Sequence, residues 1–333
     1  MKSWIGIIAV SATAALAGAS LADKEADLTK MTGTITIDGS STVYPITEAV
    51  AEEFAEVAPR VRVSVGISGT GGGFKRFCAG ETDISDASRP IKKKEYDLAK
   101  ENKIDFVEIP VAYDGLTIVV NKENDWVDNI TVDELKKIFL ADSTAKNWSD
   151  IRAGWPDTPF KIYAPGTDSG TFDYFKEVVA GKKGSIRSDM SVSEDDNVLV
   201  RGVSGNTGAI GFFGCAYFFE NKDKLKAVPV MNGDEAIMPT PETIENGTYA
   251  PFSRPLFIYV STKAMAKPQV VAFVDFYLEH AGDLAQEVGY VRLPKGVYAR
   301  ASKNVKMAKT GTLFLDETGE KVHGSLVSVY GTD

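Results

Sequence analysis

The chain has 333 residues, 44 % hydrophobic and 25 % charged, ordinary globular values that exclude a disordered, collagenous or multi-span membrane protein. Its 37 basic residues against 46 acidic ones leave a formal charge of −9, which argues against nucleic-acid binding. Two His and two Cys leave too little for a zinc site or a His-dependent triad, so function has to be built from Ser, Thr, Gly, Asp, Arg and backbone.

The first predicted element is a leader. Lys2, the apolar run Trp4 to Val10 and small residues as far as Ala22 describe a secretory signal peptide, cleaved after Ala22 or, alternatively, after Ala19. Residues 3–22 are also just long enough for an uncleaved anchor, but Ala and Gly crowd the end and favour cleavage. No Cys precedes Cys78, which argues against N-terminal lipidation. Cys78 and Cys215 lie among apolar neighbours; an oxidising compartment would let them pair, but two buried free thiols is the preferred reading.

Beyond the leader, strand-like and helix-like segments alternate, as in α/β folds, and the length suits two domains. Thr34–Ile37 predicts a strand, followed by Gly39-Ser40-Ser41-Thr42 and a helix with Val43, Ile46, Val50, Phe54 and Val57 on one face. Residues 60–65 alternate as a second strand. Ser68-Gly69-Thr70-Gly71-Gly72-Gly73 follows, then a short helix from Phe74 to Ala79 that Gly80 ends. Thr131 and Glu134 form a capping box opening a helix to Leu140. A strand at 160–163 leads to Gly166-Thr167-Asp168-Ser169-Gly170-Thr171 and a helix from Phe172 to Val179. Pro268 starts a long amphipathic helix to Val288. Two apolar runs, 111–120 and 255–260, bracket about 130 residues. They suit two crossings between an outer lobe and a lobe inserted into it.

Three loops share one plan: a strand, then Gly with Ser or Thr, then a helix start. Helix N-termini offer unpaired N–H groups and partial positive charge, Gly admits an anion to the backbone, and hydroxyls add donors. Ordinary N-capping uses the same residue types, but it does not require glycine-rich loops, and three of them together favour an oxyanion cradle. Lys92-Lys93-Lys94 reads as a solvated face, and His280 and His323 as structural or solvated. The P-loop pattern fails around Lys75, and neither Gly-x-Ser-x-Gly nor His-Glu-x-x-His occurs.

Gly39 to Pro45, Ser68 to Lys75, Ser85-Asp86-Ala87-Ser88-Arg89-Pro90 and Asp168 to Phe172, in that order, resemble the PstS-type periplasmic phosphate-binding proteins of ABC transporters. The resemblance covers roughly residues 33–300. It implies a type II periplasmic binding protein: two α/β lobes, each a mixed sheet flanked by helices, with two crossover strands as the hinge. One lobe would comprise 30–114 and 256–333, the other 115–255. It implies phosphate donors at Ser41, Thr42, the Val43 backbone, Thr70, Ser169, Gly170 and Thr171, with Gly71 allowing close approach. Asp86 would accept the proton that phosphate keeps. The best-known branch carries an Arg four residues before Ser-Gly-Thr; Pro165 stands there, so the cationic role falls to Arg89, oriented by Asp168. The implied protein is an exported monomer, not an enzyme, without cofactor or metal, that delivers phosphate to a membrane permease. The rivals are a receptor for sulfate, molybdate or a phosphorylated organic molecule, an exported phosphatase, and a structural surface protein.

Overall fold

The computed structural model describes residues 28–332 apart from 168, 182 and 194. The expected leader and Asp168 therefore lie outside the described residues.

The alternation of the first hundred residues becomes a parallel β–loop–helix unit. Strand β1 (Gly33–Gly39) pairs in parallel with β2 (Val61–Ile67) on one side and β3 (Ile84–Ala87) on the other. Parallel neighbours need a crossover, supplied by helix α1 (Tyr44–Val57) and helix α2 (Gly69–Cys78). Helix α2 begins inside the glycine run, five residues before the expected start at Phe74. Two glycines explain this. Gly69 takes φ +73°, a left-handed conformation that Gly adopts without penalty, and a Cβ on Gly73 would come within 2.5 Å of Gly39 Cα. The run is helical because its glycines let the helix lie against the end of β1.

Strand β4 (Phe106–Asn121) is buried along its whole length. Its first half pairs antiparallel with β11 (Ser253–Ser261), from Phe106↔Ser261 to Gly115↔Ser253. From Leu116 onward it pairs instead with β7 (Ala209–Gly214) and β8 (Leu225–Ala227). The two apolar runs of the sequence are thus neighbouring strands, and β4 changes partners at Gly115–Leu116. The register slips between Leu256 and Phe257, where the partners step from Ala112 to Pro110; proline has no N–H for the ladder, and a bulge accommodates it. Strand β5 (Lys161–Pro165) lies parallel to both β7 and β6 (Ser191–Ser193). The resulting order is β2-β1-β3-β11-β4-β7-β5-β6, with β8 beside β4. A separate hairpin joins β9 (Val230–Asn232) to β10 (Glu235–Ile237).

Helices cover the sheet through aromatic packing. Phe54 of α1 meets Phe273 edge-on at 5.3 Å, and the long helix Pro268–Glu287 that carries Phe273 lies where its periodicity predicts. The Thr131–Glu134 capping box forms, with each side chain bonded to the other's backbone N–H. Cys78 and Cys215 are buried free thiols, so no disulfide joins the two halves.

Candidate oxyanion site

A cleft of about 770 Å³ opens where the parallel strands end and their helices begin. It is lined by Ser40, Ser41 and Thr42 before α1, by Gly69, Thr70 and Gly71 at the start of α2, and by Ser88 and Arg89 after β3. From across the cleft come Asp173, Tyr174 and Glu177 of helix α3 (Gly170–Val179). The N-terminus of α3 touches the first loop: a Cβ on Gly170 would lie 2.6 Å from Thr42 Cα. Ser41 Oγ also donates to Asp173 Oδ2 at 3.2 Å. The expected loops therefore converge, and the glycine of Ser169-Gly170-Thr171 is required by that approach. Ser169 accepts from the Thr171 N–H at 3.2 Å and caps its own helix.

The hydroxyls are pre-oriented by one another. Thr70 Oγ1 lies 3.0 Å from Ser88 Oγ and accepts from the Ser88 N–H at 3.1 Å. Ser40 Oγ accepts from the Thr42 N–H at 3.2 Å. The Val43 N–H, expected to serve the anion, donates to Ser40 C=O at 3.2 Å and is used in closing this turn.

Arg89 differs from expectation. Its guanidinium forks onto Glu95, at 2.9 Å to Oε2 and 2.7 Å to Oε1, and its Nη1 also donates to Pro90 C=O. Glu95 meanwhile accepts from the Lys92 N–H and caps the helix Lys93–Glu101. A bidentate Arg–carboxylate pair is strong and geometrically specific, so Arg89 walls the cleft while its charge is directed at Glu95.

The cation directed at the hydroxyl cluster is Arg254. Its Nη2 donates to Thr42 Oγ1 at 3.1 Å and its Nε to Asp114 Oδ2 at 3.2 Å. Its guanidinium lies 3.7 Å over the Tyr174 ring, and Nη1 is 3.6 Å from Glu177. Asp114 is 1 % exposed; burial raises its carboxyl pKa and the adjoining Arg254 opposes that rise. Arg254 and Asp114 face one another on β11 and β4, beside the point where β4 exchanges partners. A signal for this pair exists in the sequence: Asp114 is a single charge within an apolar run, and Arg254 immediately precedes the other run.

Asp86 lies behind the first loop, its main-chain carbonyl accepting from the Ser40 N–H at 3.0 Å. It is fully buried, neither carboxylate oxygen has a hydrogen-bond partner, and it is not among the residues lining the cleft. Burial pushes its pKa up to about 8, the Thr47 hydroxyl opposes the rise and the charge of Asp38 adds to it. It stands near the end of β3, two residues before the cleft-lining Ser88, and Ser169, Gly170 and Thr171 are likewise not among the lining residues.

Two α/β lobes joined by adjacent long strands, with Ser/Thr-rich helix starts and a braced guanidinium between them, define a solute-binding protein of the two-lobe type. The description of the family model matched by residues 24–280 is the PBP superfamily domain. Protein SphX of Synechococcus elongatus is 54 % identical over 283 residues, 84 % of this chain and 83 % of that protein. The phosphate-binding protein PstS of Staphylococcus haemolyticus is 41 % identical over 271 residues, 81 % of this chain and 84 % of that one. The crystal structure of a possible phosphate-binding protein from Planctomyces limnophilus superposes with a TM-score of 0.81 at 49 % identity, covering 84 % of this chain and 99 % of that chain. The chain belongs to the PBP superfamily and, within it, to the PstS-type phosphate-binding proteins.

Proposed function

We propose that this protein captures hydrogen phosphate between its lobes and hands it to a membrane-embedded ABC permease. The observation that carries the reading is Arg254, braced by buried Asp114 and aimed at Thr42 where the starts of α1 and α3 meet. The anion would take hydrogen bonds from Ser41, Thr42, Thr70 and Ser88, from the start of α3 at Ser169, Gly170 and Thr171, and from Arg254. Three helix N-termini add partial positive charge. The charge supply then comes from the hinge rather than from Arg89. Relatives named for phosphate binding support this choice of ligand. Residues 30–114 and 256–333 would move against 115–255, with β4 and β11 as the hinge.

The protein acts, in this reading, as an exported monomer freed of residues 1–22, and binds without hydrolysing. Thermal melting with phosphate, sulfate and phenyl phosphate tests the ligand. Phosphate at 100 times its dissociation constant should add about 2.7 kcal/mol of stability. No shift with phosphate, or an equal shift with sulfate, overturns the reading, and turnover of phenyl phosphate would replace it with a phosphatase.

A further inference from the structure

Glu108 lies on β4 opposite Tyr259 of β11 and is 3 % exposed. The anion site does not use it. Its carboxylate accepts from Tyr259 OH at 2.8 Å, Thr312 Oγ1 at 2.6 Å and the Leu313 N–H at 3.2 Å. Its main-chain carbonyl accepts from Tyr330 OH at 3.0 Å. A carboxylate taken out of water needs such donors in place of solvent, and these come from β11 and from the chain that begins at Gly311. Tyr259 OH also accepts from the Ile91 N–H at 2.9 Å, which fixes the chain just past Ser88-Arg89-Pro90. Thr312 and Leu313 lead directly into Phe314, which lines the cleft.

That chain comprises residues 311–325. The Gly311 N–H bonds Phe106 C=O at 2.9 Å, and Phe314 packs edge-on against Phe257 at 5.4 Å. The chain then turns, with Asp316 Oδ1 accepting from the N–H groups of Thr318 and Glu320. It returns so that the Val322 N–H meets Phe314 C=O at 2.9 Å. Phe314, Lys321, Val322 and His323 face the cleft, opposite Lys176, Glu177, Val178 and Gly181 of the other lobe. The segment is thus tied to Glu108 at its start by the side chain and just beyond its end, through Tyr330, by the main chain. Among the described residues no hydrogen bond joins it to the facing helix. A tetrahedral oxyanion fills a small part of 770 Å³, so open space remains between this segment and that helix.

We propose that residues 311–325 form a strap walling the outer half of the cleft, positioned by Glu108, and that the strap sets how fast phosphate leaves and how bulky a phosphate-bearing ligand enters. The proposal rests on the phosphate reading above. Thr312→Val removes the strap's side-chain donor at nearly constant volume, and Thr312→Ser restores it. Stopped-flow release of phosphate from Thr312→Val should be about tenfold faster than from wild type, since loosening a bound state acts mainly on dissociation. Phenyl phosphate should then compete for the site, and Thr312→Ser should return both readouts close to wild type. Lys321→Ala with His323→Ala, which trims exposed groups on the strap's cleft face, should also speed release if Thr312→Val does not fold. Release rates and phenyl phosphate exclusion that stay at wild-type values overturn the strap. Wild-type protein that binds no phosphate overturns the functional reading and the strap with it, so the two failures are distinguishable.

Discussion

Asp86 and Asp114 are carboxylates of nearly equal burial on neighbouring parts of one sheet, and they do opposite things. Asp86 on β3 lies beneath the first lobe's helices with only the Thr47 hydroxyl to favour its charged form, and burial drives its pKa up to about 8. Asp114 on β4 meets Arg254 across the strand pair, and that guanidinium carries its influence out to Thr42 at the cleft. Burial alone does not mark a functional acid. What the carboxylate meets, and whether that partner reaches the ligand, decides its role.

The largest effect expected from breaking this contrast comes at Arg254. Arg254→Met strands Asp114 without a partner, and losing one member of a buried pair costs about 3–5 kcal/mol of stability. Phosphate affinity should fall by about 2–5 kcal/mol as well, the range for truncating a buried charged partner. Adding Asp114→Asn should recover most of the stability in a denaturant titration and none of the affinity in calorimetry. Recovery of both would make the pair structural.

Asp86 should behave inversely. Its folded pKa of about 8 lies above the ordinary 3.8, so between those values the folded chain holds more protons than the unfolded one, and stability falls as pH rises. Asp86→Asn should flatten that slope and exceed wild-type stability near pH 9 by a few kcal/mol. Its phosphate affinity should be near wild type and its sulfate binding no greater, because the side chain does not line the cleft. A gain of sulfate binding would return Asp86 to the site as a selector between protonated and unprotonated anions.

The smallest effects separate two glycines. Gly170→Ala drives a methyl into Thr42 and should open the approach of the lobes, at about 1–3 kcal/mol. Gly71→Ala meets nothing within 4 Å and should gain roughly 0.8–1 kcal/mol of helix propensity. Phosphate binding measured beside melting temperature distinguishes them. Equal effects would mean that the contact at Thr42 does not govern closure.

Much of this protein is local in origin and legible along the chain. The strand–loop–helix junctions at Ser41, Thr70 and Ser169, the capping box at Thr131 and the two apolar strands follow from periodicity, capping residues and glycine placement. Each of these acts over a few residues, so neighbours in sequence suffice to specify it. The start of α2 was displaced because its glycines are helical for a long-range reason, the approach of Gly73 to Gly39. Charge placement belongs to the tertiary structure. Arg254 and Asp114 stand 140 positions apart and are joined by strand register. Arg89 and Glu95 are six apart, yet only the turn between them shows that they form a fork rather than a ligand clamp. Sequence determined where an oxyanion could meet backbone and hydroxyls. Folding decided that Arg254 reaches Thr42 while Arg89 turns to Glu95, because a charged side chain's direction and partner depend on what the rest of the chain brings within a few ångströms.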